Sequence, residues 1–301
     1  MKPEVVGVGY ATLDHVCVLE DSPAPGGKVR VREYFRQPGG QVPTALVALQ
    51  RWGVGTAFLG AIGDDEGGRL QQSSLRSERV EILGRVCRGV ASQRSFISID
   101  AASGERTIQW FRDADLAIGV QGVDLSAVAE AKAVLLDGEE VELALEAARA
   151  ARDAGARVML DVDEPGPGTA ELLGLTDTAI VSGDFAQRLT GENDLGAALR
   201  ELCRRGPAVA VATVGARGAV VWRDGALSRR VGYPVDVVDT TSAGDVFHAG
   251  YLYGEVHGWA ADETLAFATA AAGLTCRTLG GRSAIPSIAA VLALAADPTS
   301  D

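Results

Sequence analysis

Lysine is almost missing from this chain. It stands only at Lys2, Lys28 and Lys132, none inside a GxxxxGK[ST] loop, so a Walker-type phosphate cradle is excluded. The HRD and DFG signatures of protein kinases are absent as well. Cysteine is scarce: Cys17, Cys87, Cys203 and Cys276 lie far apart and form no CxxC. That excludes a disulfide framework or structural zinc as the first reading and points to a reducing compartment. His15, His248 and His257 give no HExxH or other metal spacing. No apolar run approaches the roughly 18 residues of a membrane span. The apolar stretch near the N-terminus, residues 5–8, is too short for a secretory signal, so the expectation is a cytoplasmic protein. Linkers rich in Pro or Ser, like-charge blocks and internal repeats are all lacking.

What is present is acidic and apolar. Across 301 residues, 28 Lys+Arg face 40 Asp+Glu, a net charge of -12. Such a field repels nucleic acid and anionic membranes, so neither is an expected partner. Any phosphate the protein handles must be held by a local device. A hydrophobic fraction of 47% with 23% charged residues is the balance of one globular protein with a large core. The length allows two domains, but α/β folds often use this much chain in one.

The pattern along the chain changes near residue 115. Before it, residues 5–9, 28–35, 95–100 and 106–111 read as strands, and 43–52 as a helix with an early Pro43 and a stop at Gly53. From residue 133 the apolar runs 133–136, 158–160, 179–181 and 208–212 alternate with helical stretches such as 140–154 and 195–204. Short apolar runs without polar alternation suit strands covered on both faces. Residues 219–222 and 227–231 form a hairpin through Asp224-Gly225. The expectation is an α/β fold: a mostly parallel central sheet flanked by helices, with a small β-sheet lid from about residues 12–38 and 94–113, in one domain of residues 1–301.

Gly7-Val8-Gly9 follows a strand but lacks the third glycine of a dinucleotide loop, and no helix opens after it, so this signal is weak. The strongest signal is residues 237–250, Val-Val-Asp-Thr-Thr-Ser-Ala-Gly-Asp-Val-Phe-His-Ala-Gly. It reads as a strand end, a tight loop of small residues and a helix. Ser242, Ala243 and Gly244 let a ligand approach the backbone, and the unpaired amides of a first helical turn bind anions without Lys or Arg. Asp245 stands at the same place and could take a proton from a hydroxyl attacking a phosphoryl group. The plainer alternative is an ordinary strand-to-helix turn with Asp245 as a cap.

The run from Asp239 to Asp245, followed by Phe247 and Ala249-Gly250, resembles the C-terminal signature of the ribokinase-like, or PfkB, carbohydrate kinases, DTTGAGD with Phe and an AG step. The resemblance implies that the backbone of Ser242, Ala243 and Gly244 is the anion hole for a transferring phosphate and that Asp245 is the catalytic base. Ser242 departs from the usual Gly. Asp239 would help order the loop, near a monovalent cation such as K+. Gly39-Gly40 is similar to the family's N-terminal glycine pair, Asp14 to its sugar-binding Asp, and Thr44 stands where Asn is frequent. Gly60, Gly63, Asp65 and Gly68 match a GxxGxDxxG run, with Asp64-Asp65-Glu66 read as a solvated turn rather than a metal cluster. Thr213, Gly215 and Gly218 resemble the strand-to-turn loop near the ATP phosphates; a plain hairpin turn is the alternative. Glu139 would lie near the sugar or else cap the helix that follows. The NxxE motif linked to magnesium is replaced by Ser182-Gly183-Asp184-Phe185, so the metal-holding residues are left open although ATP still calls for Mg2+.

Lys28, Arg30, Arg32 and Arg36 recur with period two, which puts them on one face of a strand. They face either an acidic acceptor, joined by Arg106 and Arg112 beside Trp110 and Phe111, or solvent and a second subunit. The resemblance thus implies an ATP-dependent kinase acting on a hydroxyl of a sugar or sugar derivative, with the lid sheets pairing in a homodimer. A nucleoside kinase of the same fold, a catalytically silent nucleotide-binding protein and a dinucleotide-dependent dehydrogenase are the rivals.

Overall fold

The computed structural model describes residues 2–21, 23–24 and 26–296. In chain order the first third contains β1 (Val5–Val8), β2 (Thr12–Leu19), β3 (Val31–Gly39), α1 (Gln41–Arg51), β4 (Thr56–Leu59), β5 (Ala61–Gly63) and α2 (Glu66–Ser77). There follow β6 (Glu81–Ile82), β7 (Arg85–Cys87), β8 (Gln93–Asp100), β9 (Arg106–Phe111), α3 (Ser126–Glu130), β10 (Ala133–Leu136) and α4 (Val141–Asp153). Then come β11 (Arg157–Asp161), α5 (Thr169–Leu175), β12 (Thr178–Ser182), α6 (Gly183–Thr190), α7 (Leu195–Arg204) and β13 (Val209–Thr213). The hairpin β14 (Ala219–Arg223) and β15 (Ala226–Arg230) precedes α8 (Ala243–His257), α9 (Ala261–Thr275) and α10 (Ile288–Ala295).

Nine strands form the main sheet in the order β15-β14-β13-β12-β11-β10-β1-β4-β6. Every pairing from β13 to β6 is parallel; β14 and β15 add an antiparallel edge. The apolar runs owe their lack of alternation to this geometry. Val5, Leu135, Met159 and Ile180 point to one face, where they meet α1, α8 and α9. Their chain neighbours Val6, Leu136, Leu160 and Val181 point to the other, under α4, α6 and α7. Helices cover both faces, so each strand position is buried.

A separate four-stranded sheet, in the order β3-β2-β8-β9, is built from the early strands. Its faces are set by register. Thr12 pairs Gly39 and Gln93, Asp14 pairs Gln37 and Ser95, and Ser95 pairs Trp110, so these residues share the inner face. His15, Arg36 and Phe96 pair on the outer face. Asp224 and Gly225 both take positive φ, 51° and 78°, as the two-residue hairpin turn between β14 and β15 demands.

Candidate active site

A cleft of about 1180 Å³ opens between the inner face of the small sheet and the C-terminal ends of β1, β10, β11, β12 and β13. Parallel strands deliver side chains and loops to that edge, where α/β proteins bind ligands. Tyr10 follows β1, Asp137 follows β10, Asp161 ends β11, and Ser182 and Thr213 end their strands; all line the cleft.

The loop before α8 forms one wall. Asp239 lies buried beneath it, accepting from the amides of Thr241 (2.8 Å) and Gly280 (2.8 Å). Ser242 takes φ 63°, the left-handed region where glycine is at ease, so the serine carries the strain that its departure from glycine foretells. The amide of Ala243 is occupied by the Thr240 carbonyl at 3.3 Å. Those of Gly244 and Asp245 have no partner among the described residues. These two orphan donors, at the positive end of a 15-residue helix, make an anion pocket. Asp245 is the third residue of α8, not its cap, and it lines the cleft. Withdrawal from water raises its carboxyl to about 7, with Arg106 opposing and Asp163 and Asp14 reinforcing the shift. A carboxyl in that range is suited to exchange protons at neutral pH.

Asp14 faces the cleft from β2, buried, with Oδ1 lacking a partner among the described residues. Burial pushes its carboxyl to about 7 against the pull of the Arg282 guanidinium and hydrogen bonds from Ser95 and Thr12. Gly39 is required beside it: a Cβ there would sit 2.0 Å from Asp14 Oδ2. The Gly39 carbonyl takes a hydrogen bond from Arg282 at 3.0 Å. Gly40 lines the cleft at φ 100°, and a Cβ on it would strike the Tyr10 carbonyl. Thr44 sits within α1, buried, and its hydroxyl has no partner among the described residues. Glu139 lines the cleft and does not cap α4; the cap position is Glu140, whose carboxylate pairs with Arg112 and accepts from Ile118 N.

On the far side Thr213, Gly215 and Gly218 line the cleft. The segment is the turn of the hairpin that joins β13 to antiparallel β14, and it contains a 3-10 turn at Gly215–Arg217. Gly218 closes the turn at φ 87°, with the Arg230 carbonyl where a Cβ would be.

Several functional-looking residues escape a reading of the sequence. Asp137 accepts from Tyr10 N and Glu139 N and is raised by burial to about 7. Asp161 is buried, which raises its carboxyl well above the usual carboxylate range, with Asp163, Asp245 and Asp137 adding to it. Gln41 bridges it to Asp163, donating to both. His248 is wedged among the Gly244 carbonyl (2.8 Å), the Ile180 carbonyl (3.1 Å) and Asp161 (3.3 Å), which braces the anion pocket from behind. A lone Asp after a strand gives no motif; the usable signal was its place at the end of an apolar run.

Other readings are corrected. The basic stripe does not face the cleft: the strand begins at Val31, after Lys28 and Arg30, and Arg36 lies on the outer face, paired with Glu66 at 2.9 Å. Arg112 is spent on Glu140 at 3.1 Å. Asp184 is exposed and does not line the cleft. The solvated turn at residues 64–66 is in fact a hydrogen-bonded helix start: although burial opposes it, Ser92, Gly68 and Arg94 bring Asp65 down to about 2. Gly7 and Gly9 serve close packing, against Val42 and Asp137, rather than a dinucleotide.

The model of the pfkB family carbohydrate kinases matches residues 2–288. The chain belongs to this family. It is 27% identical to the ribokinase of Haemophilus influenzae over 300 residues, 95% of this chain and 96% of that one. It is 26% identical to an ATP-dependent ribose-1-phosphate kinase of Halopiger xanaduensis, covering 96% of this chain and 97% of that one. Among solved structures it is similar to Arabidopsis thaliana ribokinase complexed with ribose and ATP, at TM-score 0.83 and 25% identity, over 99% of this chain and 100% of that one. The PfkB kinase fold, a large mostly parallel sheet with a small separate one, is thus shared along the chain's length.

Proposed function

We propose that this PfkB kinase transfers the γ-phosphoryl group of ATP to a hydroxyl of a sugar or sugar derivative, with Asp245 as the base. One observation carries the reading: a carboxyl held near pH 7 stands at a helix start whose amides lack partners, in one cleft with the unpartnered oxygen of Asp14. Asp14 would accept from the acceptor's hydroxyls, the backbone at Gly39 and Gly40 lets the ring lie close, and Thr213, Gly215 and Gly218 border the nucleotide. The amides of Gly244 and Asp245 would hold the moving phosphoryl group while Asp245 takes the hydroxyl proton.

Mg2+ neutralises charge on ATP when bound, and it is commonly held by one or two carboxylates together with phosphates and waters. Asp163, exposed in the cleft after β11, is chemically suited to supply one such oxygen. A monovalent cation such as K+ by the Asp239 loop would find an oxygen in Thr241 Oγ1, buried and unpartnered. Trp110, on the inner lid face and 62% exposed, supports a second reading as a nucleoside kinase, since an indole stacks on a base as readily as on a sugar ring. The outer lid face presents Tyr34, Phe96 and Phe111, all exposed, and suits a homodimer through the lids. Four separated thiols suit a reducing, cytoplasmic setting.

The test is an ADP-release screen over hexoses, pentoses, sugar acids, sugar phosphates and nucleosides. At least one acceptor stimulates ADP release, and Asp245→Asn lowers kcat for it by about 100-fold or more. ATP binding without stimulation by any acceptor would sink the reading.

A further inference from the structure

His248 is a buried titratable group that the proposed phosphoryl transfer leaves unused. It is 5% exposed, lies one helical turn beyond Gly244, and points from α8 toward the sheet. Both of its ring nitrogens meet oxygen atoms. Nδ1 is 2.8 Å from the Gly244 carbonyl, while Nε2 is 3.1 Å from the Ile180 carbonyl and 3.3 Å from Asp161 Oδ1. A carbonyl only accepts, so a bare Nδ1 would set lone pair against lone pair. Nε2 has a carboxyl with which to share a proton; Nδ1 has none. Nδ1 therefore carries hydrogen and donates to Gly244, on whichever side of the Nε2–Asp161 contact the other proton rests.

The bond falls on one particular peptide. In a trans peptide the carbonyl and the N–H point in opposite directions, and in a helix both lie along the axis. The carbonyl that His248 holds belongs to the same peptide as the Asp245 amide, which has no partner among the described residues. The next amide, Val246 N, is already held by the Ser242 carbonyl at 3.0 Å. The peptide that opens on the anion pocket thus has a free amide end and a carbonyl end pinned by the imidazole. The imidazole is itself anchored to two strands, to β12 through Ile180 and to the end of β11 through Asp161. Asp161 is steadied in turn by Gln41 Nε2 at 3.4 Å, from the start of α1. A hydrogen bond accepted by a peptide carbonyl also polarises that peptide and strengthens its N–H as a donor.

We infer that His248 is a positioning residue for phosphoryl transfer: its Nδ1–H aims and strengthens the Asp245 amide that receives the moving phosphoryl group, while Nε2 ties the imidazole to the sheet. The inference rests on the kinase reading above. In the step itself the acceptor oxygen bonds to phosphorus, the bond from phosphorus to the leaving oxygen of ADP breaks, and the hydroxyl proton passes to the Asp245 carboxylate. His248 gives no proton to the reacting atoms and takes none from them. It acts through the backbone, by keeping a donor set in advance where charge develops.

Two substitutions separate the two nitrogens. The side-chain amide nitrogen of Asn falls near the place of Nδ1 and that of Gln near the place of Nε2, so His248→Asn keeps the donor to Gly244 and His248→Gln loses it. With an acceptor found in the screen, kcat falls about 10- to 100-fold in H248Q and less than about three-fold in H248N, while the acceptor KM stays within about three-fold in both. By calorimetry, the Mg–ADP–aluminium fluoride mimic of the moving phosphoryl group binds H248Q about 10-fold or more weakly, with ADP alone within about three-fold; H248N binds both within about three-fold of the intact enzyme. A kcat in H248Q within about three-fold of the intact enzyme, equal losses in the two variants, or a change confined to the acceptor KM would each overturn the inference. Should the variants fail to fold, nitrogen NMR of the intact enzyme with labelled histidine decides. There His248 Nδ1, assigned by elimination with His15→Gln and His257→Gln, carries a bonded hydrogen, and an unprotonated Nδ1 would overturn the inference. If the intact enzyme turns over no acceptor, the kinase reading fails, while the binding of the mimic still decides the role of His248.

Discussion

Ser242 holds a left-handed conformation at the rim of the anion pocket, at φ 63°. Its hydroxyl helps keep Asp245 charged, since a hydrogen bond to that carboxylate lowers its proton affinity. Ser242→Gly should relieve the strain and stabilise the fold by up to about 1 kcal/mol, offset partly by unfolded-chain freedom, so Tm rises slightly. The same variant should move the acid limb of activity upward in pH. On the proposed assignment, that limb belongs to Asp245. With its carboxyl at about 7, the proposed base is ionised above that pH and lost below it, so kcat should fall as pH drops through 7, while kcat/KM, which also reports Asp14, should fall more steeply. A flat profile between pH 6 and 8 would contradict this assignment. Gly39→Ala tests the other end: its Cβ would lie 2.0 Å from Asp14 Oδ2, so the acceptor KM should rise about ten-fold with a smaller change in kcat. At this scale the chain was legible wherever function is packed into a local run. Residues 239–245 announce a loop, a helix start and a carboxylate in seven letters. Asp137, Asp161 and Asp163 did not announce themselves, because only the pairing of β10 with β11 brings them together at one sheet edge.

Helix α8 has to be placed accurately, since its first turn carries both free amides and Asp245, the proposed base. Nearly every residue from Val246 to Gly254 is buried, and the helix packs on α9 through small residues. A Cβ on Gly250 would lie 2.7 Å from the Ala268 Cα. Gly250→Ala must therefore push two backbones apart, and a loss of about 1–3 kcal/mol in denaturant titration is expected, with lower activity at temperatures where the protein is still folded. The alternation of apolar runs with helical stretches was enough to foresee the parallel sheet, because burial on both faces erases the period-two pattern. Which face of a lid strand looks inward was not foreseeable. Arg32 and Arg36 share a face by period two, but pairing with β2 decides that this face is the outer one, and a bulge between Val18 and Leu19 shifts the register just beyond. Periodicity gives relative orientation; the partner strand supplies the absolute one.

The whole molecule stores unfavourable charge. Asp14, Asp137 and Asp245 are each raised to about 7 mainly by burial. A carboxyl raised above its unfolded value contributes stability that is present at low pH and lost as pH rises through the folded value. Between about pH 4 and 7 the protein without nucleotide should therefore lose thermal stability, seen as a falling Tm in differential scanning calorimetry; a Tm that rises over this window would refute the burial of these charges. The homodimer reading is tested at the same scale. Phe96, 47% exposed and stacked on His15, sits centrally on the outer lid face. Phe96→Glu should convert a dimer to a monomer in sedimentation velocity, and an unchanged sedimentation coefficient would remove the lids from the interface.

One short turn has an effect out of proportion to its length. Gly280 binds Asp239 beneath the loop before α8, Gly281 binds Gln37 in the small sheet, and Arg282 binds the carbonyl of Gly39. On the proposed reading, grip on the acceptor and grip on the phosphate are thus geared to the same three residues. Laboratory selection for a new acceptor that reshapes this turn would retune both at once, whereas selection confined to the inner lid strands leaves the gearing alone.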